Sequence, residues 1–193
     1  MASADPIDEF HQVLARASDG APFDPVAVTL ATTDNAGHPS ARIVLLRGVD
    51  ARGFVFFTNY QSRKGRELEA NPFAALCCYW PWIEEQVRVE GRVDRVSEGE
   101  SDAYFASRPR GSQIGAWASE QSRVLTDRAT LESKYESLQE SFGDTPVPRP
   151  QHWGGFRIIP DRIEFWKAGT YRLHQRHVYT RKGGVWRVEL LYP

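Results

Sequence analysis

The chain has 193 residues, of which 41% are hydrophobic and 25% charged, with a formal net charge of −1 at pH 7. This composition is typical of a globular domain with a real core, and the charge argues against a general nucleic-acid-binding protein. No run approaches the ~20 apolar residues of a membrane span, and two neighbouring cysteines, Cys77 and Cys78, predict neither a disulfide framework nor a zinc site.

The N-terminal stretch predicts a short helix. Residues 1–4 are expected to be disordered, and Asp5-Pro6 then begins a helix that carries Phe10 on its apolar face and ends at Gly20. The stretch MASADPIDEF lacks the basic segment and apolar run of a secretory signal. A reducing cytoplasmic location is therefore expected, in agreement with the cysteine usage.

Most of the remaining chain has the apolar or alternating pattern of β-strands. Strands are predicted over residues 26–33, 43–46, 54–58, 73–80, 86–96, 156–159, 162–166, 171–179 and 185–191, with a turn at Pro160-Asp161. Six or more antiparallel strands with helices inserted between them predict a mainly β, α+β fold. We expect a small closed barrel with peripheral helices, formed by one domain over residues 1–193.

The helix after strand 54–58 carries the first chemical signal. Ser62 is a predicted N-cap and Asn71-Pro72 a predicted stop, which places Arg63 and Lys64 in the first helical turn. The helix dipole already makes this end positive, so two adjacent cations fit best with an anion at the backbone N–H groups. The pattern indicates a phosphate site, with a solvated pair of surface charges as the alternative.

Two further helices are predicted downstream. Ser97 and Glu100 form a capping box that opens a helix through Phe105. Thr126 is the predicted cap of a longer helix that Gly143 ends. The segment between them, residues 107–117, is predicted to be a loop.

That segment and the end of the preceding helix contain a second cluster of polar side chains. Tyr104, Arg108, Arg110 and Ser112 lie within nine positions of one another. Two guanidinium groups, a phenol and a hydroxyl would suit a phosphate. A loop held by arginine–carbonyl hydrogen bonds explains the same residues equally well.

A third cluster lies near the C-terminus. If residues 171–179 form a strand, Arg172, His174 and Arg176 point to one face because side chains alternate. A lone histidine on a strand is more often structural than catalytic. A histidine between two arginines on the same face indicates a surface that meets anions.

Six motifs, in this order, resemble those of the pyridoxine (pyridoxamine) 5′-phosphate oxidase family. They are RIVLLR, FFTN-x-x-SRKGREL, RPR-x-SQIGAW, WGGFR, EFW and RLH-x-R, and the similar region runs from about residue 26 to 193. The resemblance implies a homodimer of FMN-binding split β-barrels with FMN in a cleft between subunits. It also implies that dioxygen oxidises pyridoxine 5′-phosphate or pyridoxamine 5′-phosphate to pyridoxal 5′-phosphate, with release of hydrogen peroxide and, from the amine, ammonia.

The resemblance also implies the site residues. Those implied to bind FMN are Arg42, Ile43, Val44, Leu45, Leu46, Arg47, Phe57, Thr58, Arg63, Lys64, Gln86, Gln121, Ser122, Trp166 and Arg176. Those implied to bind the substrate are Arg47, Tyr104, Arg108, Ser112, Arg172, Leu173 and His174. Arg172 and His174 are implied to be the catalytic pair that holds the substrate C4′ against the flavin, and no metal is implied.

Three departures from the family pattern leave other functions open. Arg47 stands where the family usually has lysine, Gln175 stands where it has aspartate, and no N-terminal Arg–Tyr arm is found. The first alternative is a related flavin oxidase of the phenazine-biosynthesis type. The others are a non-catalytic FMN- or pyridoxal phosphate-binding protein and a heme-utilisation or deazaflavin-reductase relative.

Overall fold

The computed structural model of the protein describes residues 5–193, and the predicted disorder of residues 1–4 lies outside the described residues. The strands are β1 (Ala27–Thr33), β2 (Pro39–Asp50), β3 (Gly53–Asn59), β4 (Phe73–Trp80), β5 (Glu85–Arg95), β6 (Trp153–Lys167), β7 (Gln175–Lys182) and β8 (Val185–Leu190). The helices are α1 (Pro6–Ser18), α2 (Arg63–Ala70), α3 (Glu98–Ser107), α4 (Arg110–Ala118) and α5 (Arg128–Phe142).

All strand pairs are antiparallel, in the order β3-β2-β1-β4-β5-β6-β7-β8, and β3 also pairs with β6. That extra pairing closes six strands into a barrel, while β7 and β8 extend the sheet beyond β6. The prediction of a closed barrel with peripheral helices is therefore confirmed. Between residues 5 and 193, no helix combines the length and hydrophobicity needed to cross a bilayer.

The barrel core follows from the alternation of side chains along each strand. Val87 and Val89 on β5 are almost fully buried, whereas Gln86, Arg88 and Glu90 alternate with them on the other face and are only partly buried. Helix α1 packs its apolar face on the same core, where Phe10 is fully buried and its ring meets Phe54 edge to face at 4.9 Å. Asp5 caps this helix by accepting a hydrogen bond from the Ile7 N–H at 2.8 Å, as the sequence indicates.

Strand β6 is continuous, so the predicted turn at Pro160-Asp161 is wrong. The pairing with β5 changes register at this point: Gly91 pairs with Pro160, and Glu90 pairs with Arg162. Asp161 is therefore the extra residue of a bulge. Proline lacks an N–H for the ladder and is tolerated at such an irregularity.

The predicted strand over 171–179 is also wrong in its first half. Residues 170–172 form a short 3₁₀ turn in which Tyr171 and Arg172 have φ values of 57° and 64°, and β7 begins only at Gln175. His174 also precedes β7, so the predicted strand face shared by Arg172, His174 and Arg176 does not form. Alternation of residue types cannot reveal a left-handed turn of residues other than glycine.

The predicted loop over 107–117 contains helix α4, which starts directly after Pro109. The predicted cap of helix α5, Thr126, is wrong. Asp127 caps this helix, because Asp127 Oδ1 accepts a hydrogen bond from the Thr130 N–H at 2.8 Å. The Ser97–Glu100 capping box is confirmed. The other confirmed signals are the Ser62 cap and the Gly143 stop.

Truncation of Phe10 tests whether α1 is an integral part of the barrel core. We expect Phe10→Ala to lower the free energy of unfolding by about 3–5 kcal/mol, because it leaves a cavity beside Phe54. Urea unfolding followed by circular dichroism measures the change. Phe23→Ala is the matched control, since the Phe23 side chain is 74% exposed, and a similar loss in both variants would contradict this account.

Candidate active site

A cleft of about 730 Å³ opens between the β2–β3 edge of the barrel, the start of α2 and the α3–α4 junction. This volume lies within the range of small-molecule and cofactor sites. Eleven of its lining residues are among those that the family resemblance assigned to a ligand. They are Ile43, Val44, Leu45, Arg47, Phe57, Thr58, Lys64, Tyr104, Arg108, Ser112 and Gln121.

The charge of the cleft is entirely positive. Arg47, Lys64 and Arg108 line it, and no aspartate or glutamate is among its lining residues. Within residues 5–193, none of these three cations forms an ion pair. Because the whole chain carries a net charge of −1, this concentration of unpaired cations indicates a site for anionic groups.

The start of α2 is brought close to the chain segment that precedes it. The Ser62 side chain accepts from the Gly65 N–H at 3.3 Å, which closes the first turn. A Cβ added at Gly65 would lie 2.0 Å from the Tyr60 carbonyl oxygen. Glycine is therefore required at this position for the helix to begin beside β3.

Lys64 is buried at this helix start and points into the cleft. Its Nζ lies 3.2 Å from Thr58 Oγ1, 3.4 Å from Ser62 Oγ and 3.3 Å from Gln121 Oε1. Burial lowers the pKa of Lys64, and the nearby charge of Arg42 adds to this effect. The hydrogen-bond partners of this amino group are all neutral oxygens, and no ion pair joins it to a carboxylate within residues 5–193.

Arg63 does not share this position with Lys64. Its Nε donates to Glu67 Oε1 at 2.8 Å, an i,i+4 contact with a residue that does not line the cleft. The structure thus separates the two adjacent cations that the sequence analysis placed around one anion. Only Lys64 lines the cleft.

Glu67 is the centre of a buried polar network beneath α2. Its carboxylate accepts from Ser40 at 2.7 Å, from Thr32, from Arg42 at 3.2 Å and from Arg63. Burial acts to raise its pKa, but these hydrogen bonds outweigh burial and lower the pKa to about 2. Arg42 is consequently engaged inside the protein rather than in the cleft.

Arg108 lies at the junction of α3 and α4 and lines the same cleft as Lys64. Its Nη1 is buried without a hydrogen-bond partner, and burial lowers its pKa. Pro109 precedes α4 and provides no side-chain cap for it. Pro109 and Ser112 both line the cleft, so the positive end of the α4 dipole lies there. An unsatisfied guanidinium beside an uncapped helix start favours a ligand with several acceptor oxygens.

A second group of residues predicted to bind FMN or the substrate lies on or next to strands β5, β6 and β7, away from the residues that line the cleft. Gln86, Trp166 and Arg176 are cross-strand neighbours on β5, β6 and β7. Arg176 pairs with Glu164 at 2.8 Å, and its Nη1 donates to the Tyr192 carbonyl oxygen at 2.8 Å. None of these three lines the cleft in the single chain.

His174 belongs to this second group. Its ring lies 4.7 Å from the Trp166 ring, and its Nδ1 is 3.2 Å from the Gly169 N–H. Nδ1 is therefore the acceptor, and Nε2 carries the proton of the neutral imidazole. Arg172 and Leu173 precede it and are exposed, outside the cleft.

Besides Arg42 and Arg63, two further predicted cofactor residues, Leu46 and Ser122, do not line the cleft. The Leu46 side chain is buried in the barrel core, and Ser122 is an exposed turn residue with a φ of 72°. Conversely, the cleft is lined by residues that the sequence analysis gave no role, among them Asn59, Ser119 and Trp153. The WGGFR motif contains Trp153 and was the available signal for it.

Two family models match the sequence. One, described as pyridoxamine 5′-phosphate oxidase, matches residues 19–142, and one described as a pyridoxine 5′-phosphate oxidase C-terminal dimerisation region matches residues 153–193. The pyridoxine/pyridoxamine 5′-phosphate oxidase of Myxococcus xanthus strain DK1622 is 56% identical over 193 residues, covering 100% of this chain and 94% of the relative. The pyridoxine/pyridoxamine 5′-phosphate oxidase of Burkholderia multivorans is 54% identical, and the match covers 100% of this chain and 91% of that relative.

Solved structures give the same architecture. PhzG from Burkholderia lata 383, in complex with tetrahydrophenazine-1-carboxylic acid, matches with a TM-score of 0.94 and 33% identity over 99% of this chain and 94% of that chain. A pyridoxamine 5′-phosphate oxidase-related, FMN binding protein from Nostoc punctiforme matches with a TM-score of 0.79 and 17% identity over the full length of both chains. At that identity the second match shows the fold alone.

The Glu67 network makes a prediction about pH. The folded-state pKa of about 2 lies below the ordinary value of 4.5, so the charge of Glu67 stabilises the protein above about pH 4.5. This stabilisation is lost as the pH falls towards 2. We expect Glu67→Gln to lower the free energy of unfolding at pH 7 by on the order of 2–3 kcal/mol, with the difference shrinking between about pH 5 and 2.

Urea unfolding at a series of pH values measures this difference. Glu69→Gln is the matched control, because Glu69 lies on the same helix with a side chain that is 68% exposed. A Glu67→Gln effect that stays constant from pH 7 to pH 3 would mean that the carboxylate charge contributes nothing.

Proposed function

The chain belongs to the pyridoxamine 5′-phosphate oxidase family, and on that premise we propose that it oxidises pyridoxine 5′-phosphate and pyridoxamine 5′-phosphate. The products would be pyridoxal 5′-phosphate and hydrogen peroxide, with ammonia from the amine. The observation that carries the proposal is the cleft with three unpaired cations and no carboxylate. A flavin phosphate and a substrate phosphate would supply the missing negative charge.

FMN is the cofactor that family membership supports. When bound, it supplies the two-electron acceptor that takes a hydride equivalent from the substrate C4′ and passes the electrons to dioxygen. Lys64 fits the FMN phosphate because it is buried at a helix start beside neutral oxygens only. The exposed side chains of Ile43 and Leu45 on β2 give the cleft an apolar side suited to a flavin ring.

The part of the cleft at the α3–α4 junction suits the substrate phosphate. Arg108 lines it without an ion-pair partner, and Arg47 adds a second unpaired guanidinium from β2. Tyr104 and Ser112 add hydroxyl groups from α3 and α4. Bidentate pairing of arginine with phosphate would fix the orientation of the pyridine ring.

We further propose that a second copy of the chain completes the cleft with the group that contains Gln86, Trp166 and Arg176. The match of residues 153–193 to a dimerisation region supports this arrangement, since that region includes most of the group. Arg172 and His174 of the second copy would hold the substrate C4′ towards the flavin. His174 would donate a hydrogen bond from Nε2, because Nδ1 accepts from Gly169.

A flavin oxidase of the PhzG type is the second candidate. The TM-score of 0.94 and 33% identity to PhzG support it. Arg108 alone does not discriminate, because a guanidinium pairs with a carboxylate as well as with a phosphate. The 54–56% identity to the pyridoxine/pyridoxamine 5′-phosphate oxidases over the whole chain favours the first candidate.

Direct turnover separates the two candidates. The FMN-loaded protein is expected to lose its visible flavin absorbance when pyridoxine 5′-phosphate is added without oxygen, and to form aldehyde and hydrogen peroxide in equal amounts in air. Tetrahydrophenazine-1-carboxylic acid, the compound bound in the PhzG structure, is the competing test compound. Oxidation of that compound but not of pyridoxine 5′-phosphate would support the second candidate, and no bleaching with either would indicate a non-catalytic flavin-binding protein.

Mixed dimers test the composite site. Arg108→Ala and the double variant Arg172→Ala/His174→Ala are each expected to lose about 100-fold in kcat/KM while retaining FMN absorbance. After co-expression, about a quarter of wild-type activity should return, because half of the dimers are mixed and each mixed dimer has one intact site.

The matched control is co-expression of Arg108→Ala with Arg47→Ala. Both changes lie on the same half of the proposed site, so each site of a mixed dimer carries one of them and activity should stay low. Absence of recovery in the first mixture as well would show that one chain provides the whole site.

A further inference from the structure

The WGGFR motif has no role in the proposed function so far, although its first residue reaches the cleft. Trp153 opens β6 and lines the cleft with a side chain that is otherwise buried among Phe105, Ile114 and Val147. Its backbone is fixed by a hydrogen bond from its N–H to the Pro150 carbonyl oxygen at 3.0 Å. Trp153 is thus a rigid aromatic surface at the cleft wall.

Arg108 rests on this surface. Its Cζ lies 4.6 Å from the centroid of the Trp153 ring and 5.5 Å from that of Phe105, in the range of cation–π contacts. Within residues 5–193, no carboxylate pairs with Arg108, and its Nη1 donates to no acceptor. The guanidinium is therefore supported by ring faces rather than by an acid.

This kind of support has a specific chemical consequence. A carboxylate would occupy two of the five guanidinium N–H donors and cancel the charge. A ring face holds the cation without using any donor in the guanidinium plane. The Nη1 is buried without a partner, which is unfavourable for the free protein, and the guanidinium has no acid that would occupy its other donors.

Two further rings, Phe57 and Tyr104, stack beside Trp153, and Gly155 of the motif makes room for them. The rings of Phe57 and Tyr104 lie nearly parallel to Trp153, at interplanar angles of 11° and 9°. Phe57 and Tyr104 stack at 4.0 Å, and a Cβ at Gly155 would lie 2.8 Å from the Phe57 ring. Glycine at this position lets Phe57 occupy the space that supports Tyr104.

We propose that Trp153 is a positioning residue that holds the Arg108 guanidinium at the cleft wall, where its free donors meet the substrate phosphate. This inference rests on the proposed function, because it takes the ligand of Arg108 to be a phosphate monoester. Trp153 acts through Arg108, so removal of the ring should matter only while the guanidinium is present.

A double-mutant cycle tests this dependence on the FMN-loaded protein. The variants are Trp153→Leu, Arg108→Ala and their combination, and the probe is 4-deoxypyridoxine 5′-phosphate, which has no oxidisable group at C4′. We expect Trp153→Leu to weaken binding of this probe by about tenfold, as measured by calorimetry. In the Arg108→Ala background, the same change should weaken binding by less than about twofold.

Three controls separate positioning from general packing. Binding of 4-deoxypyridoxine, which lacks the phosphate, should change little in Trp153→Leu. Trp153→Phe keeps a smaller ring face, so its affinity for the phosphorylated probe should fall by about threefold at most. This variant replaces Trp153→Leu in the cycle if Trp153→Leu does not fold. Trp117→Leu is the matched packing control, since Trp117 packs in the same aromatic cluster but does not line the cleft.

The outcomes of the cycle are distinct from those of the turnover assay. Equal losses from Trp153→Leu with and without Arg108 would overturn the inference and leave the ring a purely structural role. Equal weakening of the phosphorylated and unphosphorylated probes would overturn it as well. Strong coupling in a protein that forms no aldehyde would support the inference and reject the proposed oxidase activity.

Discussion

The pairing of β3 with β6 is the constraint on which the cleft depends. Phe54–Asn59 pair with Trp153–Ile158, so that segments from opposite halves of the chain become neighbours and close the barrel. Closing so long a loop costs chain entropy, which burial of the barrel core offsets. Lys64 lies on the helix that follows β3, and Arg108 rests on Trp153, the first residue of β6. The pairing of β3 with β6 therefore brings both cations to one cleft.

The distribution of ion pairs distinguishes the cleft from the rest of the protein. Two buried carboxylates, Glu67 and Glu164, each contact more than one arginine. Hydrogen bonds from Ser40 and Thr32 and then from the arginines lower the pKa of Glu67 despite burial, and the arginines alone do so at Glu164. The cleft has the opposite arrangement, with cations and no acid. Leaving cations unpaired at partly buried positions is unfavourable for the free protein, which is typical of sites where function opposes stability.

The proposed dimer accounts for the division of the predicted ligand residues into two groups. Lys64 and Arg108 lie on one cleft, whereas Trp166 and His174 lie on the β6–β7 part of the sheet and contact each other there. A two-fold symmetric assembly would bring the second group of one copy to the cleft of the other. The extended β6 strand connects both groups, because it begins at the aromatic wall of the cleft and ends beside His174.

The sequence by itself determined the features that depend on nearby residues. The caps at Ser62 and Ser97, the alternation in β5 and the family motifs were all correct, because local hydrogen bonds and side-chain period leave a signature within a few positions. Only the tertiary structure separated Arg63 from Lys64, gave Arg172 its left-handed backbone and made β6 one strand. Pairing with the distant strand β5 makes β6 one strand, and Glu67, which Arg63 contacts, is itself held by Ser40 and Arg42 on β2. Residue spacing carries no information about such distant partners.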